Sequence, residues 1–426
     1  MVNRLLVLSN GHGEDLIALR LIHALLDQPS DVEIAVLPLV GEGRAFAAEE
    51  AAGRIGRIGP RQELPSGGFS NQSLRGLLGD LAAGVLGLSW RQWQLVRRWG
   101  QRGDPVLAVG DLLPLLLACS GGGPYGFIGT PKSDFTWASA APIGWPSGFG
   151  DRFADAYHRC KGSEWDPWEW ALMGNPRCRL VAMRDPLTAR GLRRRGVSAV
   201  AVGNPMMDGL GHSPAPAWIQ TAEAGAPLLL LPGSRMPEAL ANAERLLEAL
   251  TILAARHGTA LTALLATGSR PSADELEPLL ERQGFSRGGP ASAAALEEIG
   301  AVSSWCKPNL QLLVGPGCFS AWAPWAIAGL ATAGTATEQL VGLGIPAISI
   351  PGDGPQFKAG FARRQSRLLG GAVLPCRNPG QAAEQLLVLL NDPALRQRLG
   401  RTGRARMGPP GGSARLAALV RARLLG

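Results

Sequence analysis

Three clusters in this chain combine residue types and spacing that could do chemistry. The first is Gly334-Thr-Ala-Thr-Glu338, inside a stretch from 328 to 351 that reads as strand, tight loop, short helix, strand. Small residues at Gly334, Thr335 and Thr337 let a ligand approach the backbone at a helix N-terminus. Unpaired N–H groups and a partial positive charge there suit a phosphate. Glu338 falls in the first helical turn, where the helix dipole stabilises a carboxylate. It would repel a phosphate unless it faced elsewhere, for instance towards two ribose hydroxyls that donate to it. The loop Pro351-Gly-Asp-Gly-Pro-Gln356 follows at the same sheet edge and brings Gln356 close. The same pattern also describes an ordinary βαβ turn, and the residues alone leave both open.

The second cluster is Gly233-Ser234-Arg235, after the apolar run Pro227-Leu-Leu-Leu-Leu231. Backbone N–H groups of Gly233 and Ser234 could meet an anion, and Arg235 could pair with a diphosphate. The third lies near the N-terminus: Asn10-Gly-His-Gly-Glu-Asp15 after strand 4–9, joined by Asp111 after strand 104–110. It lacks the third glycine of a dinucleotide fingerprint, and Glu14 and Asp15 would repel a pyrophosphate. Acids and an imidazole at a strand–helix junction suit an alcohol instead. Asp111, Glu14 and His12 are therefore candidates for a general base, while Asp15 alone reads equally well as a helix cap.

These loops need strands to hold them. Apolar runs at 4–9, 33–39, 104–110, 180–183, 199–202, 227–231 and 260–266, with two more inside 328–351, are separated by helical patterns at 16–26, 237–257, 272–283, 381–390, 393–405 and 413–425. Alternating strands and helices predict parallel sheets. Pro214, Pro216 and polar turns between 209 and 226 read as a linker. The expected division is 1–208, linker 209–226, 227–405, and a C-terminal helix 406–426 that returns to the first half. Residues 73–99 read as a helix with a Trp/Arg end, suited either to a membrane surface or to packing on a sheet. Tryptophans 137, 145, 165, 168 and 170 could form a lid, a lipid-facing surface or a local core.

The chain has 426 residues, room for two domains. Basic residues outnumber acidic ones by 42 to 34, and all but four of the basic ones are arginine, the better phosphate fork. Six scattered cysteines without a C-x-x-C pair and five histidines without ligand spacing argue against structural zinc and disulfides. A strand-like start at Arg4 leaves no room for a signal peptide, and no apolar run reaches spanning length. The expected location is cytoplasmic, peripheral to a membrane.

Taken together, Gly-Glu-Asp15, Asp111, Gly203-Asn-Pro205, Leu-Pro-Gly-Ser-Arg235 and Gly-Thr-Ala-Thr-Glu338 resemble, in order along nearly the whole chain, the GT-B glycosyltransferases. More narrowly, they are similar to lipid-A-disaccharide synthase and a group related to it. The synthase normally has a Gly-Glu-x-Ser-Gly-Asp type loop where this chain has Gly11-His-Gly-Glu-Asp15. The resemblance implies an α/β GT-B fold with two Rossmann-like domains facing across a cleft. It implies a UDP-sugar donor held by Gly233, Ser234, Arg235, Gly334, Thr335, Thr337, Glu338 and Gln356. It further implies a lipid acceptor at an anionic membrane surface, no nucleic-acid partner, and neither metal nor other cofactor; no Asp-x-Asp pair is present. A UDP-sugar 2-epimerase on the same fold and a non-catalytic nucleotide-sugar-binding protein are the alternatives.

Overall fold

The computed structural model describes residues 3–27, 32–60, 85–211, 213–220, 226–352 and 357–426. The chain divides into two units: Met1–Trp137 with Phe153–Asp208 and Pro409–Gly426, and Ala138–Arg152 with Gly209–Gly408.

The described strands of the first unit are β1 (Asn3–Ser9), β2 (Val32–Pro38), β3 (Gly56–Arg57), β4 (Val106–Gly110), β5 (Tyr125–Gly129), β6 (Cys178–Met183) and β7 (Ala199–Val200). They form one sheet in the order β3-β2-β1-β4-β5-β6-β7, and the site rests on β1, β4, β5 and β6. All pairings are parallel. β4 and β5 are buried along their whole length, as strands covered on both faces must be. Helix α1 (His12–Leu26) leaves β1, α2 (Val85–Gly100) precedes β4, and α3 (Leu112–Ser120) leaves β4. Further on, α4 (Pro167–Met173) precedes β6 and α5 (Pro186–Arg193) follows it.

Helix α1 starts at His12 and not near residue 16, because Gly11 takes φ 120 and turns the chain straight from β1 into the helix. Asp15 is thus no cap. It points inward, 96% buried, and accepts from Ser9 Oγ at 2.5 Å. Of the expected helix 73–99, residues 73–84 lie outside the described residues. In the rest, Leu88, Gln92 and Val96 face the sheet, with Gln92 donating to Leu39 O, while Trp90, Arg91, Arg97 and Arg98 are exposed.

The C-terminal helix Gly412–Val420 packs in this first unit, and its last residues form a π turn at Arg421–Leu425. Asp208 accepts from the N–H groups of Gly412 and Ser413, and Arg421 donates to Leu25 O on α1.

The second unit's described strands run, across the sheet, β10 (Ser286–Arg287), β11 (Ser303–Lys307), β12 (Leu310–Pro316), β9 (Leu261–Thr267), β8 (Ala226–Leu231), β13 (Ala328–Ala331), β14 (Ala347–Ser349) and β15 (Val373–Pro375). From β12 to β15 every pairing is parallel; β10 and β11 add an antiparallel edge. Four strands matter below: β8, β13, β14 and β15. The helices are α6 (Glu238–His257), α7 (Thr335–Gly342), α8 (Ala359–Leu368) and α9 (Pro393–Met407). Leu228, Leu230, Leu246, Leu250, Leu265 and Leu312 anchor the core between sheet and helices.

Part of the expected first half belongs here instead. Residues 138–152 leave the first unit as a strap that five polar contacts fasten to the second. Trp145 Nε1 donates to Pro375 O at 2.9 Å, and Arg377 Nη2 to Gly144 O at 2.9 Å. Arg367 Nε reaches Ser139 O at 3.0 Å, and Arg363 meets Pro146 O at 3.3 Å and Asp151 Oδ2 at 2.5 Å. The described part of the expected linker is likewise second-unit structure, with Gly211 N bonded to Ser320 O and Trp218 Nε1 to Glu298.

Helix α9 backs α7 through glycine. A Cβ on Gly400 would lie 2.2 Å from Gly344 O, and one on Gly403 2.3 Å from Val341 O. Gly403→Val should therefore lower stability by about 1–3 kcal/mol through overpacking. Thermal unfolding should register a lower Tm for this variant, and none for Arg398→Ala on the exposed side of the same helix.

Candidate active site

In the parallel part of each sheet the strand order reverses once, and the loops on either side of a reversal have no crossover between them. In the first unit the reversal falls between β1 and β4. Parallel register sets Ser9 beside Val109, and Gly110 beside Gly129. The chain therefore emerges at Asn10, Asp111 and Thr130 along one sheet edge. Gly110 has φ 135, and a Cβ there would stand 3.2 Å from Asn10 Cβ and 3.4 Å from Glu14 Cγ. Only glycine lets these loops approach so closely.

Asp111 is the N-cap of α3. Its Oδ1 accepts from Leu113 N at 3.1 Å and from Asn10 Nδ2 at 2.7 Å. Glu14, in the first turn of α1, accepts from Thr130 Oγ1 at 3.3 Å. Burial pushes the Glu14 carboxyl up to about 7, and the nearby charge of Asp111 adds to the effect. Burial also raises Asp111, against the pull of the Leu113 N–H and of Lys132. A carboxyl raised to about 7, as Glu14 is, can accept a proton from an alcohol near neutral pH.

The loop 130–134 is braced from below. Lys132 Nζ sits 2.6 Å from Glu169 Oε2, and its ammonium lies 4.8 Å from the Trp165 ring centroid. Asp185 Oδ2 accepts from Ser133 Oγ at 2.8 Å and from Thr188 Oγ1 at 2.7 Å. Asp134 accepts from Glu164 N at 2.6 Å, and burial raises it to about 7. A raised carboxyl is therefore not by itself a catalytic sign: Asp134 is 1% exposed and lies against Gly191, where a Cβ would approach its Oδ2 to 2.3 Å. Trp165 is fully buried and edge-on to Phe127, whereas Trp168 is exposed, so the Trp-rich region is in part a local core.

In the second unit the reversal falls between β8 and β13. After β8 the chain turns through Gly233 at φ 92; after β13 it enters α7 at Gly334, the N-cap, with no side-chain cap bond. Thr332 ties the two loops, its N–H 2.9 Å from Leu231 O. From α6, Asn242 Nδ2 holds Pro232 O at 2.9 Å, and Arg245 bonds Asn242 Oδ1 at 2.5 Å. A Cβ on Gly352 would fall 2.1 Å from Arg245 Nη2, so this guanidinium lies against the loop that leads towards Gln356.

The structure thus brings Gly233, Ser234 and Arg235 to the same sheet edge as Gly334, Thr335 and Glu338, with Glu338 half-buried in the first turn of α7. Thr337 differs from expectation. Its hydroxyl is turned back onto Ala333 O at 2.5 Å, so the side chain supports the loop and does not face out of it. Gln356 and the side chain of His12 lie outside the described residues. Sequence reading passed over Asn10, Thr130 and Gln365 as site residues; their spacing carries no signal, since each meets its partners only through the sheet order. Among the described residues no group of three His, Cys, Asp or Glu could hold a metal ion.

No protein-family model matches the sequence. No curated protein matches it either. Solved structures do. MurG from Acinetobacter baumannii superposes with a TM-score of 0.55 at 15% identity, covering 99% of this chain and 99% of that one. The UDP-GlcNAc 2-epimerase from Methanocaldococcus jannaschii gives 0.52 at 12%, covering 98% and 99%. The spinosyn rhamnosyltransferase SpnG gives 0.54 at 17%, covering 98% and 99%. The fold is GT-B, and it is one that both transferases and epimerases use.

The raised Glu14 has a consequence for stability. Folded, it keeps its proton to about 7; unfolded, it releases it near 4.5. Between those values the folded state binds more protons, so stability falls as pH rises, and above 7 the whole cost is present. Glu14→Gln removes that cost. The variant should be more stable than the parent by about 1–3 kcal/mol at pH 8 and lose the advantage by pH 4, as denaturant unfolding at the two pH values would measure.

Proposed function

We propose that this chain is a glycosyltransferase that moves a sugar from a UDP-sugar to the hydroxyl of a lipid acceptor. The observation that carries this reading is the Glu14 carboxyl, poised near neutrality beside Asp111 and Thr130 at the open edge of the first sheet. In this reading Glu14 takes the acceptor's hydroxyl proton and the freed oxygen bonds to the anomeric carbon. The bond from that carbon to the diphosphate breaks, and UDP leaves; one displacement inverts the anomeric centre. Asp111, already spent on Leu113 N and Asn10, tunes and orients its neighbour and is the second candidate for the base, with His12 the third.

In the second unit Gly233, Ser234, Arg235 and the first turn of α7 receive the diphosphate, and Glu338 accepts from the ribose hydroxyls. Thr335 and Gln356 complete the donor set. The charge developing on the leaving group is met by Arg235 and the helix N-terminus rather than by a cation. Two things support a lipid acceptor. One is the ordered set of motifs that resembles lipid-A-disaccharide synthase. The other is the outer face of α2, which has no acidic residue and presents Trp90, 57% exposed, with Arg91, Arg97 and Arg98. The Trp90 and Trp93 ring centroids lie 4.7 Å apart with the rings tilted by 31°, and Arg97 lies 5.0 Å over Trp93. Indoles flanked by guanidinium groups suit the interface of an anionic bilayer. Among the described residues no helix is long and apolar enough to cross a membrane. The reading places the protein at the cytoplasmic face, as a peripheral protein.

Labelled UDP-sugars should yield a new glycolipid, and free UDP, only when membrane lipid extract is present. Release of UDP or a C2-epimerised sugar with donor alone would replace transfer by hydrolysis or epimerisation. Within the assay, Glu338→Ala should weaken UDP by about 1–3 kcal/mol. Glu14→Gln should keep UDP affinity and slow turnover by about 10²–10⁴-fold. If Asp111→Asn loses turnover and Glu14→Gln does not, the base is Asp111.

Co-sedimentation with vesicles should rise with anionic lipid and fall with salt, since screening acts over about 10 Å at 0.1 M. Arg97→Ala with Arg98→Ala should reduce it. Equal recovery in the supernatant with neutral and anionic vesicles would rule out the α2 face as a membrane contact.

A further inference from the structure

Gln365 is a buried amide whose position the reaction above does not explain. It lies on α8 and is 3% exposed. Its Nε2 is 3.2 Å from Gly334 O and 3.4 Å from Ala333 O. Carbonyl oxygens only accept, so the nitrogen must be the atom that faces them. Its Oε1 has no partner among the described residues. A buried amide with an idle oxygen costs stability, so its two donated bonds call for a reason.

The reason lies in the geometry of the peptide unit. In a trans peptide the C=O and the following N–H point in opposite directions. Drawing the carbonyls of Ala333 and Gly334 towards Gln365 therefore turns the N–H groups of Gly334 and Thr335 away from it. These N–H groups belong to the start of α7, where no intrahelical acceptor exists for them. Both carbonyls have a second partner as well, Thr337 Oγ1 at 2.5 Å for Ala333 O and Glu338 N at 3.2 Å for Gly334 O. Gly334 itself has φ −81 and ψ −81, off the ordinary helical and extended values, and has no side chain to hold it there. Helix α8 is itself held from its other side. Two residues either side of Gln365, on its opposite face, Arg363 and Arg367 are fastened to Asp151 Oδ2 and Ser139 O of the strap.

We infer that Gln365 is the positioning residue of the nucleotide loop: through Ala333 O and Gly334 O it aims the Gly334 and Thr335 N–H groups at the diphosphate of a nucleoside-diphosphate sugar. The inference rests on the nucleotide site proposed above. Sequence spacing gives no hint of it, because Gln365 lies 31 residues from Gly334 and on another helix.

The test is UDP binding by calorimetry to the full chain, as wild type, Glu338→Ala, Gln365→Met and Gln365→Glu, at pH 8 and pH 5.5, with thermal unfolding of each. Gln365→Met keeps the volume and loses the donor, and both carbonyls keep their second partner. It should bind UDP about 10-fold more weakly at nearly unchanged Tm. Gln365→Glu should be weaker still at pH 8, where a carboxylate faces two carbonyls, and should recover towards or past Gln365→Met at pH 5.5, as protonation restores one donor. Wild type and Gln365→Met should change together between the two pH values, which separates this recovery from titration of the ligand. If Gln365→Met does not fold, the pH-dependent recovery of Gln365→Glu decides alone. Wild-type binding that Glu338→Ala weakens, with both Gln365 variants within about two-fold of wild type, overturns the positioning role and leaves the nucleotide site standing. No UDP binding by wild type overturns both.

Discussion

Where strand order reverses in a parallel sheet, two neighbouring strands send their crossovers to opposite faces, and the gap between their outgoing loops stays open. Every candidate group in this protein depends on that one topological constraint. β1 and β4 flank the gap in the first unit, β8 and β13 in the second. Elsewhere along each sheet a crossover covers the strand ends. At the reversals the chain can expose backbone N–H groups, or lodge side chains such as Glu14 and Asp111, without unravelling the sheet that holds them.

The two gaps are furnished with different groups. In the first, acidic groups are partly withdrawn from water, and burial is the main cause of every raised carboxyl there: Glu14, Asp15, Asp111 and Asp134. Their surroundings divide them by role. Asp15 and Asp134 are satisfied inside the protein by Ser9 and by Glu164 N, and Asp111 caps a helix, while Glu14 has its own backbone N–H and a long bond from Thr130. In the second gap the furnishing is backbone: glycines at 233 and 334, a helix start, and carbonyls pinned from behind.

Close packing brings the elements around both gaps together. Gly110 lets the Asn10 and Glu14 loop lie on the Asp111 loop, and Gly400 and Gly403 let α9 lie directly on α7. The strap 138–152 is the other device. It departs from the chain just beyond the braced loop 130–134 and is fastened by Arg363, Arg367 and Arg377 to α8 and to the end of β15. Arginine suits this work, because a planar fork can hold a carbonyl and a carboxylate together, as Arg363 does.

Read alone, the sequence determined the alternation of buried strands and helices, and with it the two parallel sheets, because apolar runs covered on both faces leave a plain pattern. It also located the turns at Gly11, Gly233 and Gly334, where small residues interrupt those runs. What it left open were the relations between distant residues. That Thr130 meets Glu14, that Lys132 meets Glu169, and that Gln365 holds Gly334 depends on sheet order and on helix position. The same is true of electrostatics: in sequence Asp15 reads equally well as a cap, and Asp111 is one of three candidate bases; the structure buries Asp15 on Ser9 and shows that Asp111 also caps α3. Spacing along the chain says which groups are available. Which of them is buried, bonded or left wanting a proton is decided by what packs around each, and only the tertiary structure supplies that.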